Sequence, residues 1–475
     1  MNNFAFAKFF FYLAVFCVPI VVITTLFPFI VGKYAWFRIS VDISLIFLLV
    51  GLILNDKGEV FLKRIYWIFK QPIVIAMSVF VVIFLLACFF GVDPTISFWS
   101  NFERGEGGLQ IIHLYVFFLL LISLFKEEKD WRWLFISTLI GGLGMTLYGV
   151  LAGINVKDFI GPRFDIANYR FQGSIGNPAY VAAYAIFMLF YSAYILISKY
   201  GKKLFSSFGA WVFWFLFALF LAVFFAAATR GAFLGLVAAG IVFVSYIIFR
   251  SRRWRKWFLG MAVLILILAA ILIQFKNTAF IKSLPISRLF ELSFSVKSFS
   301  DRAIMWQIAI DGWKARPIFG WGPENFIKIF DQHFGTGYFK PSEGFGAWFD
   351  RAHSIYFDYL AETGILGLLS LLGIWIVFYW QFLKTRMNTD KNTDGHGLNK
   401  YRLESIRVNQ FSYLRESVLI KALIFSLPVA YLIQGIVLFD VLPIYMNVFL
   451  FLAFAVYKFS DKFQVLNSNS IKSKN

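Results

Sequence analysis

The sequence predicts an all-α polytopic membrane protein of about twelve transmembrane helices, and three observations predict it: apolar content, the spacing of long apolar runs, and the placement of positive charge. Of 475 residues, 60% are hydrophobic and 15% are charged. Average soluble chains run roughly 45–50% apolar and about 25% charged. The 62 Phe residues and a mean hydropathy of +0.73 point the same way. A soluble fold of this length has no interior large enough to hide that surface, so the lipid bilayer is the solvent.

A span needs about 20 predominantly apolar residues. Twelve stretches qualify: 9–31, 37–54, 73–90, 109–125, 133–153, 178–198, 211–228, 232–249, 257–275, 364–383, 417–438 and 444–459. The first follows a lone Lys8, is longer than a signal-peptide core and lacks a small-x-small cleavage site, so it reads as a retained span. Cys17 and Cys88 fall inside apolar runs and read as packing residues rather than as a disulfide or metal site.

The formal charge of +19 raises the question of nucleic acid, but its distribution answers it. The gaps after spans two, four, six and eight carry fifteen Lys and Arg: Lys57, Lys63, Arg64 and Lys70; Lys126, Lys129 and Arg132; Lys199, Lys202 and Lys203; Arg250, Arg252, Arg253, Arg255 and Lys256. The short gaps on the other side carry seven: Lys33, Arg38, Arg104, Lys157, Arg163, Arg170 and Arg230. This is the positive-inside pattern and not a nucleic-acid footprint. It predicts a multi-pass protein of the inner (cytoplasmic) membrane with both termini in the cytoplasm.

Two gaps are long. Residues 384–416 are polar and basic, with a Thr/Asn/Asp/Gly stretch from Asn388 to Asn399 that reads as a flexible cytoplasmic linker. Residues 276–353 form one large extracytoplasmic loop. Within it a helix is predicted from Asp301 to Ala315, with Ser300 as N-cap and an end before Pro317. Ile304, Met305, Ile308, Ala309 and Trp313 recur at helical spacing and form its apolar face. The organisation is therefore helices one to nine in 1–275, the loop in 276–353, and helices ten to twelve in 354–475 around the linker.

The spans carry almost no charge; Asp42 is the one clear acid within a core. An ion-coupled transporter needs ionisable groups near mid-membrane, so that reading is weakened. No glycine-rich nucleotide loop, paired metal-ligand motif or Cys/His cluster is present. Four outward stretches carry isolated polar residues instead. Ala228-Thr229-Arg230-Gly231 is a tight turn in which Thr229 can cap the next helix and Arg230 stands at its positive end, either as an anion site or as a lipid-phosphate contact. Arg170 precedes Asn177-Pro178, which start span six as N-cap and first helical residue; Arg170 faces either a phosphate or solvent. Arg302 sits in the first turn of the predicted external helix, where the dipole disfavours a cation. It meets either an anion or a neighbouring acid such as Asp301. Arg351-Ala-His353-Ser-Ile-Tyr356 and Glu362-Thr-Gly364-Ile-Leu-Gly367 mark re-entry into the membrane. His353 has the side chain suited to proton transfer near neutrality, or makes a structural hydrogen bond. His113, His333 and His396 lack comparable context.

These stretches, in this order, resemble the O-antigen ligase/polymerase superfamily. The likeness includes Ser97-Phe-Trp99 through Arg104 and Gly107-Gly108-Leu109, Arg170 through Asn177-Pro178, and Thr229-Arg230-Gly231. It continues with Arg302 and Trp306, Pro317-Ile-Phe-Gly-Trp-Gly-Pro323, Ala352-His353-Ser354 and Glu362-Thr-Gly-Ile-Leu-Gly367. The resemblance implies a GT-C-like membrane glycosyltransferase that needs no metal and no cofactor. It would move a glycan from an undecaprenyl-diphosphate carrier to a hydroxyl-bearing glycan, lipid or protein acceptor at the outer face. The ligases' two critical arginines and histidine fall on Arg230, Arg302 and His353, while the histidine's usual Asn neighbour is Ser354 here.

The chemistry fits those residue types. A diphosphate leaving group gains charge as the anomeric bond breaks, and guanidinium groups stabilise it without a metal. Neutral His353 takes the acceptor's proton, giving direct displacement with inversion. Arg230 and Arg302 bind the diphosphate; Arg170, Arg104, Asn177 and Arg351 are further substrate-binding candidates. Glu362 orients His353 or ends a helix, and the latter is favoured. A glycan polymerase, a protein O-oligosaccharyltransferase and, in a different class, a lipid-linked glycan transporter are the competing readings.

Overall fold

The structure, a computed structural model, describes residues 3–54, 58–101, 104–153, 170–251, 255–260, scattered positions up to 278, 297–335, 348–394 and 403–460. In chain order the helices are α1 (Asn3–Ala14), α2 (Val31–Leu54), α3 (Gly58–Ile68), α4 (Pro72–Phe90), α5 (Pro94–Trp99), α6 (Gly108–Leu124), α7 (Glu128–Gly153), α8 (Pro178–Tyr200), α9 (Phe208–Ala226), α10 (Arg230–Arg250), α11 (Lys297–Ala315), α12 (Phe326–His333), α13 (Ile355–Asp394), α14 (Leu403–Gln434) and α15 (Leu442–Phe459). No strand occurs among the described residues.

The fold class is as expected: an all-α polytopic membrane protein. Eight helices are long and apolar enough to cross a membrane, and Asn3–Cys17, Gly108–Leu124 and Val418–Gln434 are shorter apolar helices. Together these take up every expected span but the ninth, 257–275, about half of which lies outside the described residues. Two starts follow the sequence closely. Asp93 accepts from the Ile96 amide at 3.1 Å ahead of Pro94, and Asn177 accepts from the Ala179 amide at 2.8 Å ahead of Pro178. Proline at the first helical position loses no hydrogen bond, and its fixed φ suits the helix.

Four boundaries differ from expectation. The first span does not run to residue 31; the helix gives way after Cys17, just ahead of Pro19, and α2 begins at Val31. Pro19 has no N–H to donate, so the helical hydrogen-bond ladder cannot continue through it. The helix α11 begins at Lys297, so Ser300 is not its N-cap; no Pro or Gly between 297 and 300 stops it. Arg302 is therefore beyond the first turn, where the dipole acts. The backbone of α13 continues into the expected linker as far as Asp394, because the first breaker is Gly395. Finally, α13 starts at Ile355 and not near 364, with a kink at Gly364.

The chain divides into two units, one of residues 1–130, 293–381 and 435–475, the other of 131–292 and 382–434. The first is built around α15, 89% of whose membrane window is buried. Phe11, Phe37, Phe117 and Phe125 pack with no exposed surface between α1, α2 and α6. Cys17 lies 3.8 Å from Met446 sulfur to sulfur and Cys88 is also buried and free, so both are packing residues. Asp42 pairs with His113 at 3.2 Å, a context for that histidine the sequence did not suggest. The helices α11 and α12 close over Met305, Ile308, Ala309, Trp321, Phe326, Ile329 and Phe330. Trp313, expected on that apolar face, is only half-buried.

The second unit centres on α8, where Tyr191 stacks on Phe135 at 4.4 Å and Tyr184 donates to the Thr138 carbonyl at 3.2 Å. Helices α10 and α14 approach closely at Gly235, where a Cβ would meet the Ala430 carbonyl oxygen at 2.6 Å. Small residues permit such close helix contact when lipid provides no hydrophobic drive.

Candidate functional site

The site grows out of the kink in α13. Gly364, at φ +68°, interrupts the helix and leaves backbone groups to be satisfied. The segment 317–322 takes them up. Trp321 and Gly322 amides donate to the Ala361 and Glu362 carbonyls at 3.0 and 2.8 Å, and the Ile365 amide donates to the Pro317 carbonyl at 2.9 Å. The Pro317–Pro323 motif is thus a docking strap. It also meets residues 91–97: the Val92 amide donates to Trp321 at 2.8 Å, and Asn325 donates to the Ser97 hydroxyl at 2.8 Å.

The turn 350–355 precedes α13 and is anchored along its length. The Ala352 amide donates to Asp358 at 2.6 Å. The Ser354 hydroxyl and the Ile355 amide both donate to the Gly435 carbonyl, at 3.3 and 2.9 Å. Ser354 therefore serves the turn. Between them His353 adopts φ +59°, a left-handed conformation rarely taken by a residue with a Cβ.

The His353 ring lies edge-on between Phe349 and Phe439, with centroids at 5.2 and 5.3 Å. Its Nδ1 is 3.1 Å from the Arg351 carbonyl oxygen. A carbonyl only accepts, so Nδ1 carries the proton and Nε2 presents the lone pair. Among the described residues Nε2 has no hydrogen-bond partner. Burial, and then the charges of Arg302 and Arg104, hold this imidazole below its ordinary 6.5 against the Arg351 carbonyl and Asp350. The His353 imidazole is thus neutral near pH 7, in the electrostatic field of two of the arginines picked out by sequence.

Those arginines differ in what holds them. Arg104 makes a two-pronged pair with Asp350 at 2.6 and 2.9 Å and lies over the Phe439 ring. Burial pushes the Asp350 carboxyl up, but the Arg104 hydrogen bonds and charge outweigh it, and it sits below its ordinary value. Arg302 is half-buried on α11, next to the turn from which Trp306 stacks on Phe357 at 5.1 Å. The alternative pairing of Arg302 with Asp301 falls outside the described side chains.

The Arg351 guanidinium is occupied by acids of its own unit. It is buried, and donates to Glu362 at 2.8 Å, to Glu324 in a short contact, and to Glu106 at 3.5 Å. The adjoining cavity, lined by Glu106, Asp358, Glu362 and Asp440 among others, is about 20 Å³. One water fits a space of that size and a phosphate does not. One cation among three carboxyls remains charged, its own burial outweighed by Glu324 and Glu362. The most distant partner, Glu106, is pushed up to about 8 by burial in spite of Arg351. Glu362 makes no direct bond to His353; it stands in the last turn before the break at Gly364 and anchors Arg351.

The second unit holds the other motifs. Arg170 donates to the Ala227 carbonyl at 3.0 Å and to the Thr229 hydroxyl at 2.8 Å, tying its loop to the turn between α9 and α10. Thr229 stands at the N-cap position, but its hydroxyl donates to the Ala227 and Pro178 carbonyls and makes no cap bond. Ala228 has φ +46°, and half-buried Arg230 is the first residue of α10. The Asn177 side chain is engaged in capping α8, a structural role. A larger cavity of about 560 Å³, among α8, α9, α10 and α14, is lined almost wholly by apolar side chains and offers nothing to a diphosphate.

Residues 215–372 match the family model described as O-Antigen ligase. The match supports the O-antigen ligase/polymerase superfamily. No curated protein matches the chain. At family level a ligase- or polymerase-type glycosyltransferase is supported, in a multi-pass membrane protein. The matched stretch contains Arg230, Arg302, Arg351 and His353. Among the described residues no group of three or more His, Cys, Asp or Glu is placed to hold a metal ion.

Around the singled-out motifs, sequence reading missed the acids: Glu106, Glu324, Asp350 and Asp358. A signal was present. Each lies within a few residues of a singled-out arginine or glycine motif, and an arginine without a counter-charge is costly to bury.

Proposed function

We propose that this protein transfers a glycan from an undecaprenyl-diphosphate carrier to an acceptor hydroxyl, in the manner of an O-antigen ligase, at the outer face of the inner membrane with both termini cytoplasmic. The observation that carries the reading is the Nδ1–H bond of His353 to the Arg351 carbonyl, which leaves Nε2 as a neutral base beside Arg302 and Arg104.

In this reading Nε2 removes the acceptor hydroxyl proton as the oxygen attacks the anomeric carbon. The bond to the diphosphate oxygen breaks with inversion, and undecaprenyl diphosphate leaves with the electron pair. Charge growing on that diphosphate is met by Arg302, and by Arg230, which is assigned on its motif alone. Arg104, held by Asp350, adds positive potential near the imidazole. Preorganised charge of this kind needs no rearrangement during reaction.

The test is turnover of purified protein on a lipid-linked oligosaccharide and a hydroxyl acceptor with divalent metals chelated. Single additions to the acceptor support a ligase, and lengthening products indicate a polymerase. Wild-type turnover by His353→Ala removes the base from the reading, and dependence on a divalent ion removes the metal-free mechanism.

A further inference from the structure

We propose that Arg351 is a positioning residue for His353: its carbonyl selects the imidazole tautomer, and its guanidinium, locked among Glu324, Glu362 and Glu106, holds that carbonyl in place. The proposal rests on the reading of His353 as base, and it concerns a residue that touches neither donor nor acceptor.

The first argument is strain. Four non-glycine residues have positive φ among the described residues: Ser100, Ala228, Glu324 and His353. Two of them touch Arg351 and a third, Ser100, touches one of its acid partners. Glu324 pairs with the guanidinium of Arg351, His353 is bound to its carbonyl, and the Ser100 hydroxyl accepts from the amide of Glu106, the third carboxyl partner, at 3.0 Å. Sparsely populated backbone conformations persist only where their surroundings over-determine them, and they gather at functional sites.

The second argument is what each bond holds. Ala352 and Ser354 are fixed from their own sides by Asp358 and Gly435, so the turn on either side of the imidazole cannot drift. The Arg351 carbonyl shares a rigid peptide plane with the Ala352 amide, so Asp358 holds that plane through its N–H while the Arg351 side chain holds the same residue from its other end. A planar guanidinium can address several carboxyls at once, whereas a lysine ammonium acts as a point charge. Burying a cation with three acids is a poor route to stability, since desolvation offsets most of the attraction. Its retention next to the one base is explained by geometry.

The third argument is separation of roles. The small volume beside Arg351 excludes phosphate and sugar, so the network acts only through what it holds. Misplacing a reacting group by about 1 Å is enough to lower a rate roughly 10²-fold.

The experiment compares Arg351→Lys and Glu324→Gln, alone and in a His353→Ala background, using the full-length protein in lipid nanodiscs with a lipid-linked oligosaccharide. Arg351→Lys is expected to lower kcat by roughly 10- to 100-fold with the donor KM within about twofold. The acid limb of its kcat/KM profile should move up toward 6.5 as the ring loosens into water. In the His353→Ala background the same substitution should change the remaining rate less than about twofold, since residues acting as a unit are not additive. Glu324→Gln, a near-isostere, should show the same pattern with a smaller factor and serves if Arg351→Lys does not fold. Equal factors in both backgrounds, or an acid limb that does not move, overturn the positioning role while leaving the base in place. Wild-type turnover by His353→Ala overturns the base assignment itself and takes this proposal with it.

Discussion

Nδ1 of His353 and the carbonyl oxygen of Arg351 lie 3.1 Å apart, and that bond determines which ring nitrogen can act as base. With the imidazole held below 6.5, its neutral form dominates at pH 7. Transfer activity is therefore expected to rise with pH along an acid limb lying below 6.5 and to be flat around neutrality. His353→Ala should lower kcat by roughly 10²- to 10⁴-fold, the usual contribution of a positioned base. A pH–rate series on wild type and variant checks both, and a limb at or above 7 contradicts the assignment.

Glu106 gives a prediction about stability. Its folded-state pKa, about 8, lies above its ordinary 4.5, so the folded protein holds a proton there that the unfolded chain has lost. The resulting stability is fully present below 4.5 and disappears as pH rises through 8. Thermal unfolding in detergent between pH 6 and 9 should show the wild type losing midpoint temperature faster than Glu106→Gln, whose amide cannot ionise. Parallel curves would mean that Glu106 is already ionised in the folded state.

Arg170 and Arg230 were legible because each stands in a loop or turn marked by Gly or Pro, and helix starts such as Asn177-Pro178 follow from local chemistry. What surrounds them was not. Arg351 reads in sequence like Arg302, a cation in an outward loop, yet Glu106 and Glu324 reach it from 245 and 27 residues away. Pairings of that kind depend on tertiary approach, and no periodicity encodes them. The kink at Gly364 was hidden for a similar reason. Its backbone groups are satisfied by residues 317–322, so the sequence showed only a helix end where the chain has a junction.

Arg302 and Arg230 should behave differently from Arg351 in kinetics. If they meet the diphosphate, Arg302→Ala and Arg230→Ala each lower kcat/KM for the donor by roughly 10²- to 10³-fold, the range for removing one preorganised donor to developing charge. Lysine at either position should restore part of the loss, because a point charge remains while the two-pronged geometry does not. Initial rates across donor concentration, with the acceptor saturating, measure this. Unchanged donor kinetics in both alanine variants would leave the diphosphate without its proposed partners.

The strap and the kink make a prediction independent of chemistry. At Gly364 the backbone is at φ +68°, and an added Cβ would run into the Ile318 carbonyl. Relief would require withdrawing residues 317–322, whose amides and carbonyls satisfy those exposed by the kink, and each buried polar group left without a partner costs about 1–3 kcal/mol. Gly364→Ala should therefore lower the unfolding midpoint sharply or prevent accumulation of folded protein. Gly373, nine residues along the same helix, has nothing within 4 Å of the position a Cβ would occupy. Gly373→Ala should be neutral or raise stability by up to about 1 kcal/mol, the difference in helix propensity between the two residues. Thermal melts of the two variants side by side separate a glycine needed for its backbone conformation from one that is not, and equal midpoints would remove the junction from the account of how this site is held.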